Sequence, residues 1–213
     1  CTGKGLIGGV YVKGRTQMQD MLTEMHRWMV SYMRSFRTND PEVMRGIQLK
    51  EIHTGYVTAH ARALAKHLGC HAEIIGLFHD VGRFRQYARY RTFNDAASED
   101  HAELGLKVLA EENILAPLSD VDAEAVRFAI KYHNKKEIAP TRDERKLFFA
   151  KVIRDADKLD IYRVLLPFLT PEGAEKAPNF VPSDAAQEVS PDFVADFAAG
   201  RQADYYRLRT HGD

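Results

Sequence analysis

The sequence predicts an all-α fold, a bundle of helices around one core. Apolar residues recur at helical spacing through most of the chain, and no segment alternates apolar and polar positions with β-branched enrichment. The punctuation agrees: Asp40-Pro41 has the form of an N-cap followed by proline at the first helical position, and Gly69 that of a C-cap.

Taken in order, residues 1–16 are Gly-rich and aperiodic and are expected to form a flexible arm, with a single helical domain over 17–213. The first helix is expected over about 17–36, with Met21, Met25, Trp28, Met29 and Tyr32 on one stripe that suits a core or a partner better than a cofactor. The second runs from Pro41 to about 68; His53, Val57, Ala61, Leu64 and Leu68 share its apolar face, which buries His53. A short helix over about 72–81 stops at Gly82, and the arginine-rich run after it reads as a loop. Further helices are expected over about 99–112, 122–132 and 143–166, the last ended or kinked by Pro167. Residues 170–191, rich in Pro, Ala, Ser and Glu, read as a long surface connection, followed by a helix over 191–208.

Composition narrows the function classes. Thirty Lys plus Arg balance thirty Asp plus Glu, so no global field favours a nucleic-acid polymer or an anionic membrane surface; a small anionic substrate needs only a few local cations. No apolar run is long enough for a membrane helix. The two cysteines, Cys1 and Cys70, form no CxxC pair, which argues against a disulfide framework and for a reducing, cytoplasmic setting; Cys70 reads as a small buried residue. The start at Cys1 reads as a processed, tagged or cut terminus, and the end at Asp213 leaves room for further residues.

The chemistry concentrates in three places. Leu77-Phe78-His79-Asp80-Val81-Gly82 closes an apolar helix with two metal-ligand types, at the end where the helix dipole favours a cation. Neighbouring helical positions diverge by about 100°, so both side chains reach one ion only at a helix end. His53 lies upstream on an apolar face. Downstream, Asp157 sits among Val152, Ile153, Ala156, Leu159 and Tyr162, where an unpaired charge is costly. Coordination of one ion by His53, His79, Asp80 and Asp157 would satisfy all four burials, with a mixed N/O set suited to Zn, Mn, Fe, Co or Ni and admitting Mg. Arg83, three residues after Asp80, is placed to neutralise charge on a phosphoryl group, with Lys50 a weaker candidate for the same role. The remaining arginines, Arg85, Arg89 and Arg91, read as a solvated edge over Phe84, Tyr87, Tyr90 and Phe93, and His26, His60, His67, His71 and His211 as surface or packing residues.

The order His53, His79-Asp80, Asp157 resembles the HD-domain superfamily of metal-dependent phosphohydrolases, over roughly residues 50–162. The resemblance implies a helical bundle of the HD type with the metal-site core at about 50–166. The family's Ala-Asp-Lys pattern, here Ala156-Asp157-Lys158, points to Asp157 as the ligand, with Asp155 as the fallback, and to Lys158 as a substrate-phosphate contact. His101 and His133 match the binuclear branch, in which they would bind a second metal and Asp80 would bridge the two; the alternative is that they line a mononuclear site and contact phosphate directly. The implied nucleophile is a metal-activated hydroxide, and the implied cofactor is one or two divalent ions per chain. Nucleotidases of the superfamily carry an acidic residue where this chain has Arg83. The His-rich continuation of the triphosphohydrolases and the Gly-Tyr-Pro of cyclic-di-GMP phosphodiesterases are also missing. The runs Arg83-Phe84-Arg85-Gln86 and Thr92-Phe93-Asn94-Asp95 resemble general bacterial HD hydrolases. The function so implied is hydrolysis of a small, nucleotide-like phosphate ester, with Asp80, Lys158 and Arg83 as the catalytic residues. Its alternatives are a di-iron oxygenase of the superfamily and a non-catalytic, metal-stabilised nucleotide sensor.

Overall fold

A computed structural model describes residues 8–170, 189–201 and 207, with side chains left undescribed at 8–16, 70, 168 and 169. Among the described residues helix is the only regular structure: α1 (Gly8–Ser35), α2 (Pro41–Leu64), α3 (Cys70–Phe78), α4 (Val81–Tyr90), α5 (His101–Glu111), α6 (Asp120–Tyr132), α7 (Glu144–Leu165) and α8 (Pro191–Ala198), with 3-10 turns at Lys66–Leu68, Asp95–Ala97 and Leu166–Leu169. None of these helices is long and apolar enough to cross a membrane.

The chain divides into two compact units, Cys1–Ile161 and Tyr162–Asp213. In the first unit the core runs from Met25 and Met29 of α1 through Ile47, Val57 and Ala61 of α2 and Ile74, Ile75 and Phe78 of α3 to Phe149, Ile153 and Ala156 of α7. Trp28 stacks on Tyr32 and leans against Phe78, so the methionine and aromatic stripe of α1 is core. In the second unit, Arg207 pairs with Asp192 and Asp196 and lies over the ring of Phe193.

The capping signals operate as their chemistry requires. Asp40 accepts from the amides of Glu42 and Val43 ahead of Pro41 at the start of α2. Asp100 does the same for α5, accepting from Ala102 and Glu103, and Asp143 for α7, accepting from Arg145 and Lys146. Gly69 closes the 3-10 turn at φ 55°, a conformation open to glycine.

Four elements differ from expectation. Helix α1 extends back to Gly8, through residues expected to form an arm, because lengthening an established helix costs far less than nucleating one; residues 1–7 lie outside the described residues. The short helix ends at Phe78, not at 81, and the arginine-rich run is a helix, α4, rather than a loop. Val81, Phe84 and Gln86 are its buried face, and Arg85 and Arg89 lie on the outer side, so the arginines interleaved with apolar residues concealed an amphipathic pattern. Gly82 is not a stop but a contact. A Cβ there would collide with the backbone oxygen of His101 and lie 2.6 Å from the amide nitrogen of Gly105, so it lets α4 cross α5 backbone to backbone. Gly76 does the same for α3 against α2, where a Cβ would lie 2.6 Å from the Cα of Thr58. The last helix also falls short of expectation: α8 ends at Ala198 instead of continuing to 208, because Gly200 at φ 64° turns the chain out of helix. Most of the 170–191 connection, the side chain of Cys70 and His211 lie outside the described residues.

Candidate metal centre

The chain breaks helix for two residues between Phe78 and Val81. His79 keeps helical dihedrals, but Asp80 turns to φ −106°, ψ 16°, so two adjacent side chains that would diverge in a helix face the same volume. Both are buried, as are His53, His101 and His133. His53 comes from the middle of α2, His101 from the first residue of α5 and His133 from the residue just after α6; Asp157 comes from α7.

The four imidazoles are oriented alike. His53 Nδ1 lies 2.6 Å from Asp160 Oδ2, His79 Nδ1 2.8 Å from the carbonyl of Gly76, His101 Nδ1 2.7 Å from Asp95 Oδ2 and His133 Nδ1 2.7 Å from the carbonyl of Ile130. Carboxylates and carbonyls only accept, so each Nδ1 donates, and each neutral ring turns the lone pair of Nε2 inward. Those lone pairs converge on Asp80. Oδ2 lies 3.5 Å from His53 Nε2 and 3.6 Å from His79 Nε2. Oδ1 lies 3.3 Å from His101 Nε2 and 3.6 Å from His133 Nε2. His101 and His133 face each other Nε2 to Nε2 at 2.9 Å, two lone pairs with no hydrogen between them.

Asp157 joins the first set, its Oδ1 3.1 Å from His53 Nε2 and 3.7 Å from His79 Nε2, whereas Asp155 is exposed. Ligands about 2.1 Å from an ion at tetrahedral angles lie about 3.4 Å apart. The separations of 3.1 to 3.7 Å that His53 and His79 keep from each other, from Asp80 and from Asp157 match that spacing. The donors form two groups of metal-holding geometry, His53, His79 and Asp80, and Asp80, His101 and His133, which share Asp80.

Electrostatics reinforce the pattern. Burial pushes Asp80 up, but Lys50 and the surrounding imidazoles outweigh it and hold the carboxyl well below its usual range. Asp157, likewise raised by burial, is brought down to about 2 by the hydrogen bond with His53 and the neighbouring charges. Burial drives His79 to about 3 and His101 to about 4, against the pull of their carboxylate neighbours, so both stay neutral, as metal ligands must be. His53 is the exception: its hydrogen bonds to Asp157 and Asp160 outweigh burial and Lys50 and raise it.

The three residues expected to handle substrate separate. Arg83 is part-buried, with Nη1 held by Asp95, Gln86 and the carbonyl of Phe93, and its Nε stands 3.7 Å from Asp80 Oδ1 without a hydrogen bond. Lys158 is exposed on α7, and its side chain makes no contact with the cluster among the described residues. Lys50, ranked below Arg83 by sequence, lies 2.8 Å from Asp80 Oδ2. Of the other histidines, His26 pairs with Glu73 and His71 with Asp122, away from the cluster. Sequence reading missed Asp160 and Asp95. Asp160 carried a usable signal, since it lies three residues after Asp157, on the same helix face. Asp95 gave none, because only the 3-10 turn at Asp95–Ala97, tied down by Gln86, brings it beneath His101.

The family model for the HD domain matches residues 51–162, which hold every member of the cluster. No curated protein and no solved structure gives a match.

Proposed function

The chain belongs to the HD-domain family, and from that premise we propose that it is a metal-dependent phosphohydrolase acting on a small, nucleotide-like phosphate ester. The observation that carries the proposal is the inward turn of four imidazole Nε2 atoms on one shared carboxylate, each with its Nδ1 hydrogen already engaged behind it. Such a donor set fits cations and leaves no other use for the facing lone pairs of His101 and His133.

His53, His79, Asp157 and Asp80 Oδ2 would hold one divalent ion, and His101, His133 and Asp80 Oδ1 a second; Mn, Fe, Zn, Co and Ni suit the ligands. When bound, such ions bring the pKa of a water down to about 7 and polarise a phosphoryl oxygen. Asp80, shared by the two donor groups, would contribute one oxygen to each position. Asp160 and Asp95 keep His53 and His101 in the tautomer that presents Nε2. Arg83, fixed by Asp95 and Gln86 with its unbonded Nε buried beside Asp80, would add positive charge next to the substrate's phosphoryl group. Lys158, exposed on α7 next to Asp157, would meet the distal part of the substrate. The even charge balance suits a small substrate better than a nucleic-acid polymer.

The test is turnover of p-nitrophenyl phosphate by manganese-loaded protein beside Asp80→Asn, an isosteric change. Hydrolysis by the wild type that falls to background in a folded Asp80→Asn variant supports the proposal; hydrolysis that survives the substitution refutes it.

A further inference from the structure

We propose that Lys50 is the mobile cation of the site, which holds Asp80 until metal binds and then turns to the phosphoryl oxygens of the substrate. The inference rests on the metal-dependent reading above and adds to it the residue that receives the oxyanion.

Lys50 lies one turn before His53 on the same face of α2, and its Nζ reaches Asp80 Oδ2 at 2.8 Å. The same oxygen faces His53 and His79. A divalent ion among those donors would therefore compete with the ammonium for one carboxylate oxygen, and two cations at contact distance repel. Four methylenes give Lys50 the reach to swing aside, and its side chain retains 16% exposure, so the rim of the site is open to it. The neighbouring surface on that side is the ring of Phe93, whose centroid is 5.3 Å from Nζ and which stacks on Tyr87. Nζ already lies over that ring while it is bonded to Asp80, so a small swing across the ring would release the carboxylate and free the ammonium to meet a phosphoryl oxygen. Arg83 cannot make the same move, because three acceptors hold its Nη1. The two cations thus divide the work: Arg83 is a fixed wall on the Oδ1 side of Asp80, and Lys50 is a swinging charge on the Oδ2 side.

Calorimetric titration of inorganic phosphate into manganese-loaded protein tests this, with metal content measured on the same samples. Lys50→Met should take up manganese at least as tightly as the wild type, since a competitor for Asp80 is gone. Its phosphate affinity should fall about ten- to a hundred-fold, the worth of a hydrogen bond to a charged group. Lys50→Gln serves as the second variant should the methionine not fold, with the same outcome expected. Unchanged phosphate affinity in a fully loaded variant overturns the inference and leaves the metal reading standing. So does manganese binding weakened tenfold or more, which would make Lys50 a structural partner of Asp80. A wild type that takes up no manganese overturns both.

Discussion

Asp160→Asn separates the role of the carboxylate behind His53 from that of the ligands themselves. Asp160 is fully buried, and its Oδ2 lies 2.6 Å from His53 Nδ1, the short contact of a charge-assisted hydrogen bond. The substitution keeps the shape and removes the charge, so the ring loses the partner that fixes its tautomer and raises its basicity. Removing a partner of this kind weakens metal binding about 10–100-fold, or about 1.4–2.7 kcal/mol. The loss should fall on the position formed by His53, His79 and Asp157, and leave that of His101 and His133 close to wild type. The mirror substitution, Asp95→Asn, should invert the pattern, because Asp95 backs His101. The assay is competition for manganese against a chelator of known affinity, resolved into tight and weak uptake, with circular dichroism confirming the fold. Superimposable isotherms for folded Asp160→Asn and the wild type would refute the reasoning.

Further outcomes follow from the same structure. Gly82→Ala should destabilise the protein by about 2 kcal/mol or more, since the new Cβ meets the backbone of His101 and Gly105 rather than a yielding side chain, and urea unfolding measures it. Chelator-treated protein should lose stability as pH falls from 6.5 towards 4. His79 and His101 have folded values of about 3 and 4, below the ordinary 6.5, so in that window the unfolded chain takes up protons that the native state refuses. The slope should approach about 2 kcal/mol per pH unit in urea melts at pH 4.5, 5.5 and 6.5, and equal midpoints would contradict it. Below the ordinary 3.8 the loss continues, since the depressed Asp80 and Asp157 contribute stability only while ionised. His53, raised in the fold, acts in the opposite direction, and its contribution fades as pH rises above 6.5. Hydrolysis should run equally fast in air and under nitrogen; dependence on oxygen would favour the di-iron oxygenase alternative.

The helical class and the helices with a clear apolar stripe were legible in the sequence because periodicity and caps are local properties. The clustering was legible too: a histidine or aspartate among apolar residues demands a partner, and His53, His79 and Asp80 are buried as expected, whereas Asp157 is half-buried on a helix whose Leu159 and Tyr162 are exposed. What escaped depended on contacts distant in the chain. The close crossing at Gly82 is set by Gly105, so its glycine looked like a helix stop. Lys50 was ranked below Arg83 because Arg83 lies three residues after Asp80, whereas Lys50 lies one turn before His53; only the geometry shows Arg83 bound by Asp95 and Lys50 bonded to Asp80 itself. Asp95 lies six residues before His101, in an irregular turn that periodicity does not read.

One chain would gather its buried histidines and aspartates into metal positions that share Asp80. Metal analysis of protein loaded with manganese and then freed of excess ion tests it most directly. The wild type should retain up to two ions per chain, and Asp80→Ala should lose both with the helical spectrum retained. A folded wild type that retains no divalent ion under any loading condition would contradict it.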